Sequence, residues 1–152
     1  MLKSKLRILQ KSNKKLRRVA DPIVDINSDI RKKAIDLKKV LFASGNGVGI
    51  AAPQVGWNIR LIVVAIDSLK KPTVMINPEI LEFSSDQTTG EEGCLSVEGE
   101  FGLVERANSI TVEFKTLAGE VVTNKYEGFT ARCIQHEVDH LGGILFIDKL
   151  AK

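Results

Sequence analysis

The chain has 152 residues, 43% of them hydrophobic and 27% charged, with a formal net charge of +3. That is one domain's length with enough apolar material for a core, and too weak a basic bias for nucleic-acid binding to be required. No apolar run approaches the roughly 20 residues of a membrane span, and two cysteines allow at most one disulfide, which favours a reducing, cytoplasmic setting.

The basic residues crowd at the start, where Lys3, Lys5, Arg7, Lys11, Lys14, Lys15, Arg17 and Arg18 all precede the first acid, Asp21. An acid-free basic stretch is what a transit segment looks like, but Leu6, Ile8 and Leu9 are too few for a strong amphipathic helix. A solvated surface arm is expected. Asn27 or Ser28 then caps a helix with Ile30, Ala34, Leu37 and Leu41 at helical spacing. It should run to about Ala43 and stop at the breakers Ser44-Gly45-Asn46-Gly47.

Residues 60–66 read as a buried strand and residues 74–76 as another, with Pro78 separating the second from a short apolar segment at residues 80–83. From Leu103 to Tyr126 the pattern alternates: Ile110, Val112 and Phe114 face one way, residues 117–120 turn, and Val121 and Val122 return. Thr130 is the expected cap of a last helix with Ala131, Ile134, Val138 and Leu141 on one apolar face, ended by Gly142-Gly143. The fold class is therefore α+β, with mostly antiparallel sheets packed around a C-terminal helix, an N-terminal helix, and one domain over residues 1–152.

That last helix carries His136-Glu137-Val138-Asp139-His140. Residues four apart stack on one helix face, so both imidazoles can reach one ion. Glu137, about 100° around the helix from His136, can hold a water bound to that ion and shuttle its proton. The chain has two histidines in all and both are in this motif. A catalytic site usually needs a third protein ligand. In the metzincin pattern it would fall at Phe146, and Asp148 is a weak candidate, so an upstream thiolate suits two imidazoles better. Cys94, between Gly93 and a short polar turn, is favoured over Cys133, which buried packing would explain equally well.

Three segments resemble the peptide deformylase family. They are Gly47-Val48-Gly49-Ile50-Ala51-Ala52-Pro53-Gln54-Val55-Gly56, Glu92-Gly93-Cys94-Leu95-Ser96, and Gln135-His136-Glu137-Val138-Asp139-His140. The resemblance implies that Cys94, His136 and His140 bind one divalent metal, with ferrous iron the expected native ion and zinc, nickel or cobalt able to substitute. It assigns Glu137 as general acid/base, and Gln54 with the Leu95 N–H as oxyanion donors, consistent with an amide donor on a Gly-rich loop. The implied substrates are formyl-methionyl nascent peptides, lying extended against backbone near Val48, Gly49 and Gly93. Val48, Phe129 and the Arg132 stem are expected walls for the methionine side chain. Gly47 and Gly49 also have a plainer explanation, that they end the preceding helix.

Some positions depart from the family pattern. Val97-Glu98 stands where a proline is common, and Phe101 where a basic residue is frequent. Glu91, Glu92, Glu98, Glu100 and Glu105 make an acidic rim, none of which is expected to touch the metal. The basic C-terminal extension that some members use to dock on ribosomes is missing, so ribosome association is not implied. Two other classes compete. A zinc endopeptidase would cleave unblocked peptides, whereas a non-catalytic binding module would need neither Glu137 nor Gln54.

Overall fold

The computed structural model describes residues 6–45, 47–65 and 71–151. Helix α1 spans Ser28–Ala43, and the Asn27 side chain accepts a hydrogen bond from the Ile30 N–H. A cap of that kind is worth about 1 kcal/mol. Ser44 ends the helix and Gly45 takes a left-handed φ of 80°; Asn46, the third expected breaker, lies outside the described residues.

Strands β1 (Gly49–Ala51), β2 (Leu61–Val64), β3 (Thr73–Phe83), β6 (Ser109–Lys115) and β7 (Val121–Glu127) form one sheet in the order β1-β2-β3-β6-β7. Every pairing in it is antiparallel. β4 (Gln87–Cys94) and β5 (Val97–Ala107) form a separate two-stranded hairpin. Helix α2 spans Gly128–Leu141.

The large sheet is buried on both faces at its centre, which explains the unbroken apolar run of β2. Leu61, Val63, Ile76 and Ile50 pack with the α1 stripe of Ile30, Ala34, Leu37 and Leu41. Ile62, Val64 and Met75 point the other way, onto Ala131, Ile134 and Leu141 of α2. Each fully buried side chain of this size contributes about 1.5–3 kcal/mol. Ile110, Val112 and Phe114 join the α2 side together. A smaller cluster of Val97, Val104, Leu145 and Phe146 ties the hairpin to the segment that follows α2.

Four expectations change. The strand expected at 60–66 is β2, Leu61–Val64; Arg60 and Ala65 flank it and Ile66 lies outside the described residues. Pro78 does not end a strand, because β3 continues through it. Asn77 turns left-handed (φ 52°), and the register with β6 slips between Ile76 and Glu79. A bulge is where a residue without an N–H fits a strand, and Asn77 fixes it by exchanging side-chain hydrogen bonds with the Ile23 backbone. Helix α2 starts two residues before Thr130, after Glu127, with no side-chain cap. The arm's charges are solvated as expected, with Arg7, Lys11, Lys14, Lys15 and Arg17 exposed, but it is also anchored. Leu16 is fully buried, the Leu9 N–H donates to the Gln54 carbonyl, and the Ala20 N–H donates to the Leu141 carbonyl. Lys3 and Lys5 lie outside the described residues.

Candidate metal centre

Three elements converge beside α2. The end of β4 delivers Cys94, the two-residue turn Leu95–Ser96 closes the hairpin, and a 3-10 turn at Ala52–Val55 follows β1 and carries Gln54. One ligand atom each from Cys94, His136 and His140 lies within 4.8 Å of the others. Cys94 Sγ is 3.3 Å from His140 Nε2. The other ring nitrogen of His136, Nδ1, is 2.9 Å from Glu92 Oε1, which leaves Nε2 for the cluster. A thiolate and two imidazoles within reach of one point suit a soft divalent ion, so the donor set fits a resident metal. Asp148, weighed from sequence as a ligand, instead pairs with Arg17.

Glu137 is 4% exposed and its Oε1 has no hydrogen-bond partner among the described residues. Burial, with Glu92 adding to it against the opposing His136, pushes its carboxyl up to about 7. A group that titrates near neutrality can both take and return a proton. Burial opposes a charge on His136, yet its bonds to Cys94 and Glu92 prevail and raise it to about 10. The position therefore holds positive charge, from a proton or from an ion that displaces it. Burial followed by the His136 charge lowers His140. Cys133 lines the cleft, where burial and then Glu137 push its thiol up to about 12.

The glycines before Gln54 do more than end α1. A Cβ on Gly49 would lie 2.7 Å from Glu137 Oε2, and one on Gly47 would lie 2.9 Å from Leu95 Cδ1. Gln54 is 1% exposed; its Oε1 accepts from the Ala51 N–H, and its Nε2 donates to Ser96 Oγ at 3.0 Å and lies 3.7 Å from Cys94 Sγ. Gln10 Nε2 donates to the Leu95 carbonyl, holding the turn from outside.

Sequence reasoning misplaced Glu92, which is a buried hub rather than a rim residue. Arg106 binds it through two nitrogens, at 2.8 and 2.9 Å, and Arg132 Nη1 adds a third bond at 2.8 Å. Arg106 Nη1 also reaches Asp139, 2.6 Å away. Burial resists the charge on Glu92, but the bonds from Arg106 and His136 hold its carboxyl at about 2. The available signal was strand parity, since residues two apart share a face and Glu92 stands two before Cys94. Arg132 lines the cleft as expected, but its guanidinium is committed to Glu92, Val104 and Thr88. Val48 and Phe129 are cleft-lining and partly exposed. The Val48 carbonyl accepts from the Ala65 N–H, so Val48 backbone faces β2. Strand alternation then turns Gly49 backbone to the opposite edge, where Ala51 already meets Gln54. No strand covers that edge of β1, or the outer edge of β4 at Gly93, among the described residues. Between them opens a cleft of about 540 Å³ with His136 and Glu137 in its lining.

An antiparallel α+β frame around a helix with two imidazoles, a nearby thiol and a buried carboxyl of raised pKa is the layout of a metal-dependent hydrolase. The polypeptide deformylase family model matches residues 5–152. A peptide deformylase of Desulforudis audaxviator is 47% identical over 142 residues, 93% of this chain and 91% of that protein. The crystal structure of the Thermotoga maritima peptide deformylase superposes with a TM-score of 0.94 at 36% identity, covering 99% of this chain and 100% of that one. A class I type b peptide deformylase from Acinetobacter baumannii, solved with Met-Ala-Ser bound, gives 0.87 at 43% identity, covering 95% and 98%. The chain belongs to the polypeptide deformylase family, whose members remove the N-formyl group from nascent polypeptides.

Proposed function

We propose that this chain acts as one catalytic domain on formyl-methionyl peptides, releasing formate and a free N-terminal methionine. The observation that carries the reading is Glu137 Oε1, buried and unpartnered at the floor of an open cleft beside the Cys94, His136 and His140 donors. A divalent ion held by those three residues would supply Lewis acidity and a water acidic enough to attack near neutral pH. Ferrous iron is the proposed native ion on the family resemblance alone; the thiolate and two imidazoles themselves ask only for a soft divalent metal.

Glu137 takes a proton from the attacking water as its oxygen bonds to the formyl carbon. Gln54 Nε2, oriented through the Ala51 bond to Oε1, and the Leu95 N–H donate to the developing oxyanion. One such donor is commonly worth about 10²–10³ in rate. Glu137 then passes its proton to the departing amine as the C–N bond breaks. The peptide lies extended between Gly49 backbone and the open edge at Gly93, with Val48, Phe129 and the Arg132 stem beside the methionine side chain.

Gly47 packs against Leu95 and Gly49 against Glu137, and this close packing of the loop beside the acid/base supports a site that takes a formyl hydrogen in preference to a methyl. Overpacking costs about 1–3 kcal/mol. Among the described residues no helix is long and apolar enough to cross a membrane, and we place the activity in the cytoplasm. The test is formate release by anaerobically prepared protein, with metal content measured alongside. Formyl-Met peptides should react much faster than acetyl-Met ones, and unblocked peptides should stay intact. Comparable formyl and acetyl rates, or internal cleavage, would replace this reading with an endopeptidase.

A further inference from the structure

The two oxyanion donors stand on separate parts of the frame. Gln54 is carried by the turn after β1, at the edge of the five-stranded sheet, whereas Leu95 sits in the turn that closes the β4–β5 hairpin. Among the described residues no backbone hydrogen bond joins these two turns. Their direct polar link is the Gln54 amide itself, which donates to Ser96 Oγ at 3.0 Å. That amide is also the group the substrate engages, and a bond shared with substrate is a poor spacer between the turns.

The N-terminal arm supplies bonds that the reaction does not use. The Leu9 N–H donates to the Gln54 carbonyl at 2.7 Å, and the next residue, Gln10, donates from Nε2 to the Leu95 carbonyl at 3.1 Å. The same nitrogen lies 3.5 Å from the Ile8 carbonyl, and Ile8 lines the cleft. Consecutive Cα atoms are held about 3.8 Å apart, so Leu9 and Gln10 together set how far the Gln54 turn stands from the Leu95 turn. The Leu95 side chain packs into the α1 cluster, which places the residue. A directional bond to its carbonyl fixes the rotation of its backbone as well.

Resting on the deformylase reading above, we propose that Gln10 is a positioning residue for the reaction. Through the Leu95 carbonyl it keeps the Leu95 N–H aimed at the oxyanion, at a spacing from Gln54 that the Leu9 bond sets. Gln10 itself touches neither substrate nor reacting atoms. Misalignment of a preorganised donor is felt where charge develops, in the transition state, and not in ground-state binding. Gln10 therefore acts on kcat and leaves KM alone.

The experiment measures kcat and KM of the metal-loaded full chain on formyl-Met-Ala-Ser for wild type, Gln10→Met, Gln10→Lys and Lys11→Met. Methionine matches glutamine in length and has no donor. In Gln10→Met kcat should fall about three- to thirtyfold, a part of the roughly 10²–10³ that one oxyanion donor supplies, with KM unchanged. Gln10→Lys returns an N–H donor to the Leu95 carbonyl and should recover most of that loss. Lys11→Met removes only an exposed ion pair with Glu100, of a kind that contributes little, and should behave as wild type. Metal content and melting temperature should be the same in all four. Independently of turnover, exchange of the Leu95 amide hydrogen should speed up in Gln10→Met and slow again in Gln10→Lys. Full kcat in Gln10→Met, a rise in KM instead, no recovery with lysine, or a loss explained by lowered metal content or melting temperature would overturn the proposal. Formyl peptides inert to wild type would overturn the deformylase reading instead, and the amide exchange still decides whether Gln10 holds Leu95.

Discussion

Gly49 and Glu137 meet so closely that a Cβ on residue 49 would lie 2.7 Å from Glu137 Oε2 and 3.0 Å from its Cγ. Both residues are buried, so the carboxylate has little room to retreat. Gly49→Ala should displace Glu137 while leaving Cys94, His136 and His140 in place. The expected outcome is full metal content with kcat reduced, by a part of the roughly 10²–10⁴-fold that a positioned acid/base supplies. Wild-type turnover in the variant would show that the carboxylate need not occupy its present position.

Glu137→Gln keeps the shape and removes the proton shuttle. Metal content should hold while kcat falls by about 10²–10⁴. Single-turnover kinetics beside metal analysis checks this, and loss of the ion in the variant would make Glu137 a ligand instead.

The two cysteines should separate cleanly. A metal ligand must be thiolate, and Cys133 is held as a thiol by burial, with its pKa at about 12. Cys94→Ala should lose most bound metal, whereas Cys133→Ala should keep it. Metal retention after gel filtration reads the difference, and the opposite pattern would exchange the two assignments.

Glu92→Gln tests the hub behind His136. Partners behind a metal-bound histidine typically account for about 10–100-fold in metal affinity, and a loss of that size is expected from competition with a chelator. The same change should flatten the acid limb of stability. The folded carboxyl, at about 2, lies below its ordinary value of 4.5. Its stabilisation is therefore complete above about pH 4.5 and lost as pH falls toward 2, on the order of 3 kcal/mol across that window. Denaturation midpoints of wild type and variant should converge as the pH is lowered through it.

The elements easiest to read in the sequence are those held by local rules. α1 announces itself through Asn27 and a four-residue apolar stripe, and the motif helix through its own spacing. The β4–β5 hairpin was missed because Gln87-Thr88-Thr89-Gly90-Glu91-Glu92-Gly93-Cys94 has no apolar alternation. Distant partners hold it instead: Arg132 reaches Thr88 and Glu92, and its guanidinium would lie 3.1 Å from a Cβ on Gly90. The site divides in the same way. The donor residues stand in recognisable motifs, whereas the meaning of Glu92 depends on Arg106, Arg132 and His136, which only folding brings to it. Pro78 suggests a break on propensity alone, because propensity weighs the missing N–H, and the bulge at Asn77 removes the need for one.

The clasp between the arm and the end of α2 bears on how the molecule comes off its own ribosome. Arg17 bonds the Gly143 carbonyl and Asp148, the Ala20 N–H bonds the Leu141 carbonyl, and Gly143 has no space for a Cβ beside the Arg17 carbonyl. These contacts join positions more than a hundred apart in sequence, the kind of closure that topology makes late in folding. The arm is synthesised first, yet its bonds to Leu141, Gly143 and Asp148 must wait for the helix that carries both histidines and the turn after it. An enzyme acting on unfinished chains thus cannot assemble its own donor set until residues 136–140 have emerged, and cannot close the clasp until Asp148 follows.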